Sequence, residues 1–274
     1  MERRIARTFQ AEIVVDDGDM KLFRALPTRT MSSLGPFVFI DHYRHSSLRG
    51  IGDKPHPHAG IEVISYLLQG SVEHRDSMGN RDVLGAGDAQ FIRAGRGMVH
   101  AEVPQSGRHG LQLWTSLPPD LKEAEPNYTS FPAAAIPILR REGVELRVIT
   151  GLVDDTLGPM CLASDTIFAV LFMERGIGAT VSVPPDAELG LYVLEGQTQV
   201  GDTIGTGSLS VLTAGATLTL DPVGDAGATI ALLGGAPVEG PILFSGPFVM
   251  DTPDRLENAA RAYASGRMGR IAEP

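Results

Sequence analysis

Tyr66-Leu67-Leu68-Gln69-Gly70 returns in the second half of the chain as Tyr192-Val193-Leu194-Glu195-Gly196. Each copy is a short run of strand-forming residues closed by glycine, which reads as a strand entering a turn. Two further anchors follow in the same order. Gly87-Asp88-Ala89-Gln90-Phe91-Ile92 matches Gly207-Ser208-Leu209-Ser210-Val211-Leu212, and each copy ends in Ala-Gly, at Ala94-Gly95 and Ala214-Gly215. One such pentapeptide is ordinary strand-and-turn composition. Three anchors in the same order point to a duplicated fold, the second copy shorter by 6 residues between Tyr192 and Gly215.

Around these anchors the pattern is β throughout. In the first half, a hairpin is predicted over 11–15 and 21–26, turning at Asp16-Asp17-Gly18-Asp19. Strands follow at 37–40, 61–68, 72–76, 89–93, 98–103 and 110–117, separated by Gly- and Pro-containing turns. Residues 120–137 hold Pro126, Pro132, Pro137 and an alanine triplet without periodicity, and read as the inter-domain connection. Eight more strands run from 145–152 to 229–233. The spacing predicts an all-β chain of two domains, 1–130 and 131–274. One helix closes it. Thr252 is the N-cap, Pro253 the first helical residue, and Gly266 the stop. Leu256, Ala259, Ala260, Tyr263 and Ala264 form its apolar stripe.

Composition excludes some classes. A net charge of −10 disfavours direct binding to nucleic acid, whose backbone asks for a basic face. Cys161 is the single cysteine, so no intrachain disulfide can form, which suits a reducing cytoplasm. No apolar run approaches a membrane span or a secretory leader. The expected location is cytoplasmic.

All seven histidines lie between His42 and His109. His56-Pro57-His58 and His100-Ala101-Glu102 each carry two metal-ligand types two residues apart. On a strand such residues share a face. If the two strands share a wall, the site has three imidazoles and one carboxylate. That donor set suits Fe, Mn, Ni, Cu or Zn and is poor for Mg or Ca. Pro57 cannot donate to a ladder, so its strand is an edge or a bulge. Carrying the four positions into the second copy by their distance from the anchors gives Ser182, Pro184, Leu220 and Pro222, none of them a ligand. Glu62 is a rival, four residues after His58 and of the same strand parity. His42 and His74 read as loop residues near a pocket rim, His45 and His109 as surface, and Trp114 as core packing.

These residues resemble the pirin family. The resemblance rests on Gly35-Pro36-Phe37, Asp41-His42, Pro55-His56-Pro57-His58, Tyr66–Gly70 and Gly110-Leu111-Gln112-Leu113-Trp114. The long block Ala94-Gly95-Arg96-Gly97-Met98-Val99-His100-Ala101-Glu102 and Gly246-Pro247-Phe248-Val249-Met250 complete it, over residues 24–266. Pirins are bicupins, so the resemblance implies two tandem cupin β-barrels with a metal in the first. It also implies that His56, His58, His100 and Glu102 are the ligands. Glu62, at the place where other cupins take their carboxylate, is then assigned a supporting part beside Glu102. Fe(II) is the expected cofactor, with Mn, Ni, Co, Cu or Zn as alternatives. Some family members open a flavonol with dioxygen, and a mammalian member is a nuclear transcriptional cofactor. The expected activity is therefore a dioxygenase of quercetinase type on a small aromatic substrate, with Glu102 or Glu62 as general base. The alternative is a non-catalytic, redox-responsive protein acting through a protein partner. Gly60-Ile61-Glu62 departs from the family, where an aromatic residue is common in the middle.

Overall fold

The computed structural model describes residues 1–48 and 50–271. Its first half forms twelve strands: β1 (Ile5–Gln10), β2 (Glu12–Asp16), β3 (Met20–Leu26), β4 (Phe37–His45), β5 (His56–His58), β6 (Ile61–Gln69), β7 (Val72–Asp76), β8 (Arg81–Leu84), β9 (Ala89–Arg93), β10 (Met98–Pro104), β11 (Arg108–Ser116) and β12 (Asn127–Phe131). The leading barrel has a seven-stranded sheet in the order β12-β9-β6-β11-β4-β3-β2 and a four-stranded sheet, β5-β10-β7-β8.

The trailing barrel repeats this strand for strand. Its large sheet runs β1, Ser208–Leu212, Glu188–Glu195, Ala228–Gly235, Thr166–Met173, Val144–Thr150, Ile138–Arg141. Its small sheet runs Ala179–Ser182, Thr217–Pro222, Gln197–Val200, Asp202–Gly205. Tyr66 and Tyr192 sit on equivalent strands, each fully buried, and Gly70 and Gly196 turn the chain after them at φ +84° and +77°. The duplicated all-β fold and the closing helix α1 (Pro253–Ala264) agree with the sequence reading, but the packed face of α1 is Leu256, Ala259 and Ala262, while Ala260, Tyr263 and Ala264 of the expected stripe are exposed. Thr252 caps α1, its side chain accepting from the Arg255 amide at 3.3 Å.

Three further expectations need correction. The chain does not divide simply at 130. One compact unit comprises Ile13–Leu22, Val38–Ala133 and Glu239–Pro274, the other Met1–Glu12, Phe23–Phe37 and Ala134–Val238. The start of the chain joins the trailing unit because β1 supplies the strand beside Ser208–Leu212. Arg3 anchors it: the buried guanidinium donates to the carbonyls of Pro184 (2.7 Å), Pro185 (3.1 Å), Ala187 (3.0 Å) and Thr213 (3.0 Å). Arg3→Ala should therefore cost about 3 kcal/mol, seen as a lower denaturant midpoint. An unchanged midpoint would show that β1 docks without it. The end of the chain joins the leading unit because α1 buries Ala259 and Leu256 against Ala59, Val99, Phe248, Met250 and Met268.

The second correction is β12, which lies inside the stretch read as irregular and pairs with β9. It ends its sheet, so Pro126 and Pro132 flank it without removing a needed ladder donor. The third is the single strand expected at 198–204, which is two strands turning at Gly201, φ +76°. Among the described residues no helix is long and apolar enough to cross a membrane.

Candidate metal centre

β10 is the middle of the site because it has a neighbour on each side. In its register with β5, His100 lies opposite His56 and Met98 opposite His58. In its register with β7, His100 lies opposite Asp76 and Glu102 opposite His74. β5 ends its sheet, so Pro57 costs no hydrogen bond, as expected of an edge strand.

The three imidazoles meet. Ring centroids are 4.4 Å apart for His56 and His100, and 5.0 Å for both His58 pairs. One ligand atom from each of His56, His58 and His100 lies within 4.8 Å of the others. Glu102 is beside His100, with Oε1 4.0 Å from its Nδ1. It groups with His100 and His74 rather than with His56 and His58.

Backbone carbonyls aim two of the rings. His56 Nδ1 is 2.9 Å from the Lys54 carbonyl and His58 Nδ1 is 3.3 Å from that of Pro247. A donor at Nδ1 leaves the Nε2 lone pair free for a metal, the usual way a ligating imidazole is oriented. His58 Nε2 and both ring nitrogens of His100 are buried without a hydrogen-bond partner among the described residues. Burial, then the neighbouring His56, pushes the His58 pKa down to about 3, against the Pro247 carbonyl, which raises it. Burial and the rings of His58, His56 and His74 hold His100 well below the usual histidine range. Both are neutral at pH 7, the form that binds metal. Buried, neutral imidazoles with unpartnered ring nitrogens beside a carboxylate fit a first-row divalent ion.

Glu102 is 1% exposed and held from both sides. Oε1 accepts from Ser65 Oγ (3.2 Å) and Gln90 Nε2, and Oε2 from Arg108 Nη1 (3.1 Å). Arg108 also donates from Nε to His45 Nε2 (2.8 Å) and from Nη2 to the Ile51 carbonyl (2.8 Å). Of the four expected ligands, His56 alone is not fully buried, so the site reaches solvent on its side.

The structure does not bring Glu62 to this cluster. Gly60, φ +73°, turns the chain between β5 and β6, so strand parity does not carry across. Glu62 accepts from Arg93 Nε (3.1 Å) and Thr115 Oγ1 (3.4 Å), on the face of β6 opposite Ser65. The other histidines are not loop or surface groups either; all are buried. His42 and His109 meet at 2.7 Å through their Nε2 atoms, His45 receives Arg108, and His74 stands 5.6 Å from His100. Trp114 packs as expected, stacked on Phe39 at 4.0 Å, and its ring edge backs His58 at 4.9 Å.

Sequence reasoning missed Ser65, Gln90 and Arg108. Arg108 carried a signal, since a charged residue beginning an apolar strand needs a buried partner. It also missed Lys122, a buried ammonium that donates to the Gly60 carbonyl (2.9 Å), Ser116 Oγ (2.8 Å) and the Val249 carbonyl (3.0 Å). Burial brings its pKa down to about 8. Lys122 thus pins the segment whose Pro247 carbonyl orients His58.

The trailing barrel shows what replaces a site. Val72 pairs with Pro104 as Thr198 pairs with Pro222, and His56 pairs with His100 as Val181 pairs with Leu218. His56, His58, His100 and Glu102 therefore correspond to Val181, Val183, Leu218 and Leu220. All four lie in one buried apolar cluster. The expected absence of ligands holds, but the positions are not Ser182, Pro184, Leu220 and Pro222. The loop before Thr217–Pro222 is two residues shorter than counting from Gly215 assumes.

Comparison with known proteins agrees with this fold. Residues 19–115 match the pirin family and residues 168–269 its C-terminal cupin domain. A pirin-like protein of Caulobacter vibrioides is 34% identical over 276 residues, covering 97% of this chain and 99% of that one. A crystal structure of quercetin 2,3-dioxygenase from Acinetobacter baumannii superposes with TM-score 0.88 at 26% identity, over 99% of this chain and 100% of that one. The fold is shared with a bacterial pirin of Escherichia coli in complex with nickel(II), TM-score 0.66 at 18% identity, over 85% of this chain and 100% of that one. With two cupin barrels and relatives that match along nearly its whole length, the chain belongs to the pirin family.

Proposed function

We propose that the protein is a metal-dependent dioxygenase that opens a flavonol-like ring with dioxygen. The observation that carries this reading is the convergence of three imidazoles beside a braced carboxylate, in a barrel like that of a quercetin 2,3-dioxygenase. His56, His58, His100 and Glu102 would hold the ion. A divalent metal, Fe(II) first and Mn, Ni, Co, Cu or Zn otherwise, would supply Lewis acidity when bound, and all of these but Zn could also supply redox chemistry toward dioxygen.

The chain's own residues set the rest. The substrate approaches from the His56 side, where the site meets solvent. Glu102 takes the hydroxyl proton of the substrate at a carboxylate oxygen, as general base. Arg108, Ser65 and Gln90 keep that carboxylate aimed while the proton arrives. Glu62 has no part in this step, since its oxygens face Arg93 and Thr115. Phe39 and Trp114 exclude water behind His58.

Quercetin loss and carbon monoxide release by the metal-loaded protein test the proposal. Turnover is expected with at least one of Fe, Mn, Ni, Co and Cu. Tight binding of all five with no turnover by any would reject it and leave regulation through a protein partner as the reading of the site.

A further inference from the structure

His74 is an imidazole near the centre that the sequence reading left as a loop residue at a pocket rim. It is completely buried, stacked on Tyr128 at 4.0 Å with the rings 11° from parallel. Its Nε2 is 3.2 Å from Asp76 Oδ2. Asp76 is itself fixed, accepting from the amides of Met78 (2.9 Å) and Asn80 (3.0 Å) and from Asn80 Nδ2 (2.8 Å). A carboxylate on one ring nitrogen turns the other into a lone-pair donor, the arrangement that orients ligating imidazoles. That other atom, Nδ1, is buried and has no hydrogen-bond partner among the described residues.

The register explains where it faces. His74 lies opposite Glu102 in the β7–β10 ladder, and one ligand atom from each of His74, His100 and Glu102 lies within 4.8 Å of the others. His100 is common to both triplets, and its Nδ1 is the nitrogen near Glu102. The duplicated barrel gives independent support. Val72 corresponds to Thr198, so His74 corresponds to Val200, which belongs to the apolar core with Val181, Val183, Leu218 and Leu220. The five polar positions of the leading barrel thus map onto five inward-facing aliphatic ones.

We propose that His74, with His100 and Glu102, forms a second position for the divalent ion, beside the one that His56, His58, His100 and Glu102 would hold. His100 and Glu102 would serve both, so an ion displaced from His56 and His58 has an inner position to occupy. This rests on reading the centre as a metal site.

The test uses the full chain, Co(II) as the probe, and equilibrium dialysis with elemental analysis. The double variant His56→Ala, His58→Ala should still bind about one Co(II), more weakly than the wild type. Adding His74→Ala should remove that ion. Cobalt bound by the wild type but not by the double variant would overturn the second position alone. Cobalt retained equally with and without His74 would also overturn it. No cobalt in any form would overturn the centre itself. If the double variant does not fold, wild-type protein with 15N-labelled histidine decides. Excess Co(II) should shift the His74 ring resonances by direct coordination, and contact shifts confined to His56, His58 and His100 would overturn the proposal.

Discussion

His100→Ala should empty the centre. His100 belongs to both triplets of ligand atoms, is fully buried, and uses neither ring nitrogen for a protein hydrogen bond among the described residues. Losing a group that merely orients a ligand costs roughly 10–100-fold in metal affinity, so losing this shared ligand should cost more. Metal content after loading and desalting should fall to background, and any flavonol turnover with it. Glu62→Gln is the contrast. Its carboxylate lies on the other face of β6, with Arg93 and Thr115, so metal content should stay within about twofold of wild type. The reverse pattern, with metal kept by His100→Ala and lost by Glu62→Gln, would refute the assigned centre.

Arg108→Ala should be the most destabilising single change in the leading barrel. The guanidinium is 2% exposed, lies over the Tyr43 ring at 4.5 Å, and donates to Glu102, His45 and the Ile51 carbonyl. Its removal leaves the Glu102 carboxylate buried without its cation, which costs about 3–5 kcal/mol. The exposed pair Arg261–Glu257 on α1 is the control, since such a pair contributes about 0.3–0.5 kcal/mol. Urea unfolding of the metal-free forms measures both. Arg108→Lys should fall between, because one ammonium cannot reproduce the fork that meets three partners. Equal midpoints for Arg108→Ala and Arg261→Ala would sink the claim.

The duplication was legible because strand, glycine turn and apolar run are local, and the anchors at Tyr66 and Tyr192 preserve them. The i,i+2 pairs at His56 and His100 were legible for the same reason, since strand geometry puts such residues on one face whatever lies across from them. The helix ends were local too, through Thr252, Pro253 and Gly266. Glu62 was misplaced because parity was carried across Gly60, where a positive φ resets the direction of the chain. His74 and Arg108 were missed because their roles come from the strand opposite.

The amino-acid order by itself therefore determined an all-β, duplicated chain with ligand pairs in its first half, because alternation and turn chemistry act over a few residues. Tertiary structure decided the partners: which strand faces β10, that Pro247 orients His58, and that β1 and α1 each complete the other half's unit. Those choices depend on register and burial between segments far apart in the chain, and no short stretch carries that information.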